Sequence, residues 1–251
     1  MEYNLDFISQ EDFENHVRGV IQSYTRSLQA MNLSKFNSNL IDPVKLLFDK
    51  SVFNKTFEEV INAEINRQID KTNTNAIGYF HQNIFQYIEG CEVPNHGWDV
   101  IYTNPNGKTY LVEMKNKHNT VNSSSSRATF MRMQNQILNS RNRENEVCML
   151  VEVIAKTSSN RAWTPSISGE RMTANQQIRR VSIDKFYELV TGDSLAFRKM
   201  CQQLPITIKK IVEQSQPITT GSNTVMEELN NLDNDTLIAL YRLAFSTYEG
   251  F

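Results

Sequence analysis

Apolar positions along the chain change period several times, and the changes divide it into elements. Residues 11–31 place Phe13, Val17, Ile21, Tyr24, Leu28 and Met31 at helical spacing. A second helical pattern, TFEEVINAEINRQIDK, begins at Thr56, three residues ahead of Glu59, which predicts a capping box. A third, NAIGYFHQNIFQYI, runs out at Gly90. Next, GWDVIYTNPNGKTYLVEMKNK reads as two strands joined by an Asn-Pro-Asn-Gly turn. RATFMRMQNQILNS returns to helical spacing, with Phe130, Met133, Ile137 and Leu138 on one predicted face. The apolar run at 147–154 is a buried strand, a polar stretch fills 156–177, and IRRVSI and DKFYELV supply a strand and a helix. The remainder, including LIALYRLAF, is helical.

The order strand, strand, helix, strand between 98 and 154 predicts topology. About thirty residues, mostly helical, separate the second hairpin strand from strand 147–154, enough for a crossover between parallel neighbours. The expected fold is α/β: a mixed sheet flanked by helices, with helical additions at both ends.

Composition narrows the class. The 251 residues, 39% hydrophobic and 22% charged, suit an ordinary soluble protein with a substantial core. No stretch of about 18 apolar residues exists and the N-terminus lacks a signal-peptide pattern, so a cytoplasmic protein with no membrane partner is expected. Cys91, Cys148 and Cys201 are odd in number and widely spaced, implying neither disulfides nor a zinc site. Cys148 reads as a small core residue.

The net charge of −2 conceals an uneven distribution. Residues 1–107 carry 8 basic and 14 acidic side chains, 108–180 carry 12 and 5, and 181–251 carry 6 and 9. A basic middle third therefore begins at the hairpin. Phosphate binding responds to such local charge rather than to the total.

Period two in KTYLVEMK puts Leu111, Glu113 and Lys115 on one face and Tyr110, Val112 and Met114 on the other. Where Asp99 points depends on the turn. A four-residue loop sets it opposite Val112; a five-residue loop or a bulge sets it opposite Glu113, with both carboxylates on one side. Two convergent carboxylates repel unless a cation lies between them, and a hard ion such as Mg²⁺ suits oxygen ligands. The Lys115 ammonium beside them could orient or deprotonate a water. Those parts suit attack of water on a phosphodiester. Glu113-x-Lys115 is the only acidic residue two places before a lysine in the sequence.

Asp99 followed at hairpin distance by Glu113-Met114-Lys115 resembles the PD-(D/E)xK nuclease superfamily. More narrowly, GWDVIY, YLVEMKNKHNT and RVSIDKFYELVTGD resemble type II restriction endonucleases that cut GGNCC-type sites. The resemblance implies a restriction-endonuclease-like fold and a homodimer. It implies Mg²⁺-dependent cutting of both strands of double-stranded DNA at a short palindrome, leaving 5′-phosphates, without ATP. Asp99 and Glu113 would hold the metal with the Met114 main-chain carbonyl, and Lys115 would act on the attacking water. Some members add a glutamate from the preceding helix, for which Glu64 is the best candidate, ahead of Glu59 and Asp70. Trp98 stands where the motif has its Pro.

Further DNA contacts are expected from Lys117 and His118 after the motif, and from Arg127 and Arg132 on the crossover helix. The segment 156–177, with Asn160, Arg161 and Arg171, is expected to read bases. Arg179 and Arg180 alternate, so one of them faces away from the DNA side; Arg180 is taken among the contacts. Loop residue His96 is left out of the chemistry. The linear organisation expected is a helical region over 1–90, a nuclease core over 91–193 and a helical region over 194–251, packed as one continuous domain. The rival readings are a repair or recombination nuclease that reads DNA structure, and a non-catalytic DNA-binding module.

Overall fold

The computed structural model describes residues 3–28, 30–117, 123–167, 169–215 and 221–249. Its helices are α1 Gln10–Ser27, α2 Leu33–Asn37, α3 Pro43–Val52, α4 Phe57–Asn83, α5 Ser123–Asn139, α6 Ile183–Thr191, α7 Ala196–Gln214, α8 Val225–Leu232 and α9 Thr236–Phe245. Its strands are β1 Cys91–Glu92, β2 Val100–Thr103, β3 Thr109–Lys117, β4 Glu146–Ile154, β5 Asn160–Ala162, β6 Ser166–Ile167, β7 Glu170–Arg171 and β8 Ile178–Ser182.

Among the described residues a six-stranded mixed sheet has the order β1-β2-β3-β4-β8-β5. β2 and β3 form the expected antiparallel hairpin, and β3, β4 and β8 run parallel. α5 is the crossover helix between β3 and β4. β5 closes one edge antiparallel to β8, while β6 and β7 make a separate small ribbon inside the polar stretch.

Two compact units emerge, neither continuous in sequence: 1–19 with 77–214, and 20–76 with 215–251. The first unit holds the whole sheet. On one sheet face, Phe130, Met133 and Ile137 of α5 pack with Leu111, Cys148, Leu150, Ile178 and Trp163. Phe130 meets the Trp163 ring edge-on at 5.4 Å. The second unit is helical, its core built from residues such as Phe36, Leu46, Ile61, Val225, Leu229 and Leu240.

Two helical readings change. The patterns starting at Thr56 and Asn75 are a single 27-residue helix, α4, because nothing between them breaks a helix. Its capping box forms: the Glu59 N–H donates to Thr56 Oγ1 (3.2 Å) and the Thr56 N–H to Glu59 Oε2 (2.8 Å). Leu138 is 71% exposed rather than buried with Phe130, Met133 and Ile137. At 100° per residue it lies about 80° or more from each of those three around the helix.

In the sheet-bearing unit, His81 is half-buried, and its buried Nδ1 has no hydrogen-bond partner among the described residues. Desolvation, aided by nearby His16, lowers its pKa to about 4. The unfolded chain therefore binds the proton more tightly than the folded one between about pH 6.5 and pH 4. Stability is fully present above that window and falls as the pH drops through it. Chemical denaturation at pH 7 and pH 5 should show a loss of about 1–2 kcal/mol from this group, and His81→Leu should flatten that loss.

Candidate active site

The hairpin turn decides what faces what. Asn104 Oδ1 accepts from the main-chain N–H groups of Asn106 (3.1 Å) and Lys108 (2.9 Å). The Asn104 N–H donates to the Lys108 carbonyl (2.9 Å), and Gly107 adopts φ +78°, a conformation suited to glycine. The turn takes up five residues, so Thr103 pairs with Thr109 and Val100 with Val112. Of the two registers open in the sequence, the five-residue loop forms. The ladder stops at Val100: Asp99 lies just outside it, its N–H donating to the Val112 carbonyl (2.9 Å), a departure from regular pairing that keeps Asp99 beside β3.

The pairings then order one sheet face into rows. Ile101, Leu111, Cys148 and Ile178 lie side by side, and α5 covers this apolar row. The next row, toward the C-terminal ends of β3, β4 and β8, runs Glu113, Leu150, Arg180, Arg161, with Asp99 just ahead of β2. The third runs Lys115, Glu152, Ser182. The face thus changes from apolar to ionic along the strands, and the carboxyl end of an open sheet is where such folds bind ligands.

Within this cluster every charge has a defined partner. Lys115 Nζ donates to Glu113 Oε1 (2.7 Å), and Arg132 Nη1 donates to Glu113 Oε2 (3.0 Å). The Met114 N–H donates to Asp99 Oδ2 (2.7 Å). A strand residue's N–H and C=O leave the same edge, so the Met114 carbonyl emerges on the Asp99 side. Gln82 Nε2 donates to the Asp99 carbonyl (3.2 Å), tying the end of α4 to the start of β2.

Burial, with a smaller push from the Glu113 charge, raises the Asp99 carboxyl above its ordinary pKa. The Met114 N–H, Lys115 and Arg132 pull the other way. A half-buried carboxyl beside a second one is the environment a cation relieves. Two carboxylates and one main-chain carbonyl form an all-oxygen set that fits a hard divalent ion, which fills its remaining positions with water.

The other sequence candidates are placed as follows. Lys117 is exposed at the end of β3, on the side of Lys115, and Arg127 is exposed in the first turn of α5. His118 lies outside the described residues. Asn160 and Arg161 are exposed on edge strand β5, with Asn160 Oδ1 accepting from Arg179 Nε. Arg171 Nε and Nη2 reach Thr164 Oγ1 (3.2 Å each). Arg161, Arg171 and Arg180 line a notch of about 330 Å³ with Ser126 and Trp163. Glu64 belongs to the helical unit, where Arg67 (2.5 and 2.7 Å) and Gln68 (3.1 Å) engage its carboxylate. Of the alternating pair, Arg180 shares the face of the cluster and Arg179 has the opposite one.

Two residues were missed by sequence reasoning. Glu152 is 3% exposed and forms a two-pronged ion pair with Arg180, Arg180 Nε to Oε2 at 3.0 Å and Nη2 to Oε1. Its signal was a lone acid inside VCMLVEVIA. Trp98 carries the Arg132 guanidinium over its ring at 4.1 Å. It had been noted only as the substitute for a proline.

A mixed sheet of this order, flanked by helices and carrying two carboxylates and a lysine at its hairpin, defines a restriction-endonuclease-like fold of the PD-(D/E)xK superfamily, the architecture of site-specific deoxyribonucleases. The chain belongs to the Eco47II restriction endonuclease family, whose model matches residues 5–213. It is 32% identical to the type II restriction enzyme Eco47II of Escherichia coli over 215 residues, 84% of this chain and 89% of that one. It is 28% identical to the type II restriction enzyme Sau96I of Staphylococcus aureus over 232 residues, 90% of this chain and 87% of that one. The protein is thus a type II site-specific deoxyribonuclease acting on double-stranded DNA, a class that generally uses a divalent metal. No helix among the described residues is long and apolar enough to cross a membrane.

Proposed function

We propose that the protein is a Mg²⁺-dependent endonuclease that cuts both strands of a short palindromic GGNCC-like site as a homodimer, without ATP, leaving 5′-phosphates. The observation that supports this reading is the grouping at the end of β3: the Asp99 carboxylate accepts from the Met114 N–H (2.7 Å), and Lys115 donates to Glu113 (2.7 Å). Asp99, Glu113 and the Met114 carbonyl would hold the ion, which polarises the phosphate and lowers the pKa of its water. Lys115 already donates to Glu113. The role this supports is an ammonium that orients the attacking water and offsets charge gathering on the phosphate. Arg161 and Arg180, in the row of Glu113, together with Arg171, Asn160, Lys117, His118 and Arg127, would grip the duplex. Arg161 and Arg171 at the notch are the arginines best exposed to reach guanine edges.

Digestion of a sequenced plasmid with Mg²⁺, followed by end mapping, tests the reading. Discrete fragments with 5′-phosphate ends inside GGNCC-like sites are expected. Cleavage confined to branched or damaged DNA would establish the structure-reading rival instead, and binding without cleavage would establish the non-catalytic one.

Support for a second copy comes from α3. Val44, Phe48 and Val52, spaced four apart, form an exposed stripe, joined by exposed Leu40 and Phe53. Leu40 is held at φ +50°, an uncommon conformation for a bulky side chain. Together they offer roughly 500 Å² of apolar surface, near the upper end for a monomer and enough for the core of a standard interface. Phe48→Glu should shift sedimentation toward the monomer at micromolar concentration, and nicked plasmid should accumulate ahead of linear product. An unchanged sedimentation profile would remove α3 from the interface.

A further inference from the structure

We infer that Arg132 is a positioning residue that fixes the spacing of Asp99 and Glu113, and not a contact to the DNA backbone. The inference rests on the proposed assignment of Asp99, Glu113 and Lys115 to the cleaving centre. Basic residues on the crossover helix of a DNA-cutting enzyme invite a phosphate role, and Arg127 and Arg132 are both exposed, so what separates them is their contacts. The Arg132 guanidinium is committed elsewhere.

Three contacts hold it: one on the Glu113 carboxylate and two on the segment that leads into Asp99. Nη1 donates to Glu113 Oε2 on β3 (3.0 Å). Nη2 donates to the carbonyl of Gly97, two residues before Asp99 (2.8 Å). The plane of the group lies over the ring of Trp98, the residue directly before Asp99, at 4.1 Å. The segment 97–98 and the Glu113 carboxylate are therefore bolted to one rigid fork.

Each element of the clamp needs the guanidinium in particular. Two N–H donors in one plane reach a carboxylate and a carbonyl at once, and the flat face stacks on an indole. A lysine could supply a charge but only one of these contacts at a time. Lys115 holds the other Glu113 oxygen. Glu113 is thus fixed at both oxygens, by one residue of its own strand and one of α5. Gly97 adopts φ +99°, so the chain turns into Asp99 at the point where Nη2 grips it. Without that grip, Asp99 keeps its hydrogen bonds to Val112 and Met114 of β3 and to Gln82, but the segment 97–98 leading into it loses its tie to Glu113.

The discriminating variant is Arg132→Lys, which keeps the charge and removes the fork, with Arg132→Met and Trp98→Leu beside it. Single-turnover cleavage is measured at saturating DNA and Mg²⁺, and DNA affinity over a salt series without metal. A clamp predicts that Arg132→Lys lowers the cleavage rate about 10- to 100-fold, as loss of a group orienting a ligand does, with DNA affinity changed less than about twofold. Arg132→Met should match it, and Trp98→Leu should give a smaller loss of the same kind. A phosphate contact predicts the reverse: Arg132→Lys near wild type, and Arg132→Met weaker in DNA binding with a salt slope reduced by about 1. That result would overturn the inference, as would an unchanged cleavage rate in Arg132→Lys. Should Arg132→Met not fold, the lysine and leucine variants decide the matter by themselves. Failure of the underlying assignment is separable, because Asp99→Ala or Lys115→Ala would then cleave at the wild-type rate.

Discussion

Lys115→Ala is expected to lower the rate of DNA cleavage by about 10³-fold or more, with the target still bound in Ca²⁺. The ammonium shares a strand face with Glu113 and touches its carboxylate without spanning to another element. Its truncation leaves the sheet hydrogen bonds intact, so the protein should fold and bind while the attacking water loses its orienting group. Asp99→Ala should be equally inactive for a different reason. It removes a carboxyl oxygen that would face the cation and the acceptor that holds the Met114 N–H. Single-turnover assays with radiolabelled duplex, paired with filter binding in Ca²⁺, measure both effects. Full cleavage by either variant would remove that residue from the reaction.

Glu152→Ala should cost about 2–4 kcal/mol of stability, the largest loss expected from any single surface-distant charge here. Glu152 is 3% exposed in the middle of β4, and Arg180 is held against it by two hydrogen bonds. Deleting the carboxylate takes a two-point charged partner from a guanidinium that has given up most of its water. Replacing both partners, as Glu152→Met with Arg180→Leu, should recover much of the loss, because the desolvation of both ions is then avoided. Urea denaturation of the two variants reads this directly, and additive losses in the double variant would contradict it. The same pair bears on binding: with Arg180 anchored, Arg161 and Arg171 are the freer members of the notch.

Much of the fold was legible because periodicity and turn residues agree over long stretches. The helix–hairpin–crossover order, the parallel pairing of β3 with β4 and the buried Cys148 all follow from local pattern. The site was legible in its parts but not in its geometry. Asn-Pro-Asn-Gly permits two loop lengths, and only the hydrogen bonds of the Asn104 side chain select the one that turns Asp99 toward Glu113. Partners far apart in sequence left little trace: Glu152 looked like a stray acid and Arg180 like one half of an ambiguous doublet. Trp98 and Arg132, thirty-four positions apart, meet only once α5 lies on the sheet. Unit boundaries were equally hidden, since the first helix and the long α4 each contribute to both cores.

The row that joins Glu113 to Arg161 works as a ruler. Three strand spacings, on the order of 14 Å, separate the acid from the arginine, and every step is fixed by main-chain pairing rather than by a loop. On the proposed roles of Arg161 and Glu113, the gap between where the duplex is gripped and where it is severed is a property of the backbone ladder. Substitutions in strands β6 and β7 would then change which bases are favoured while the point of scission, measured in nucleotides from the grip, stays where it is.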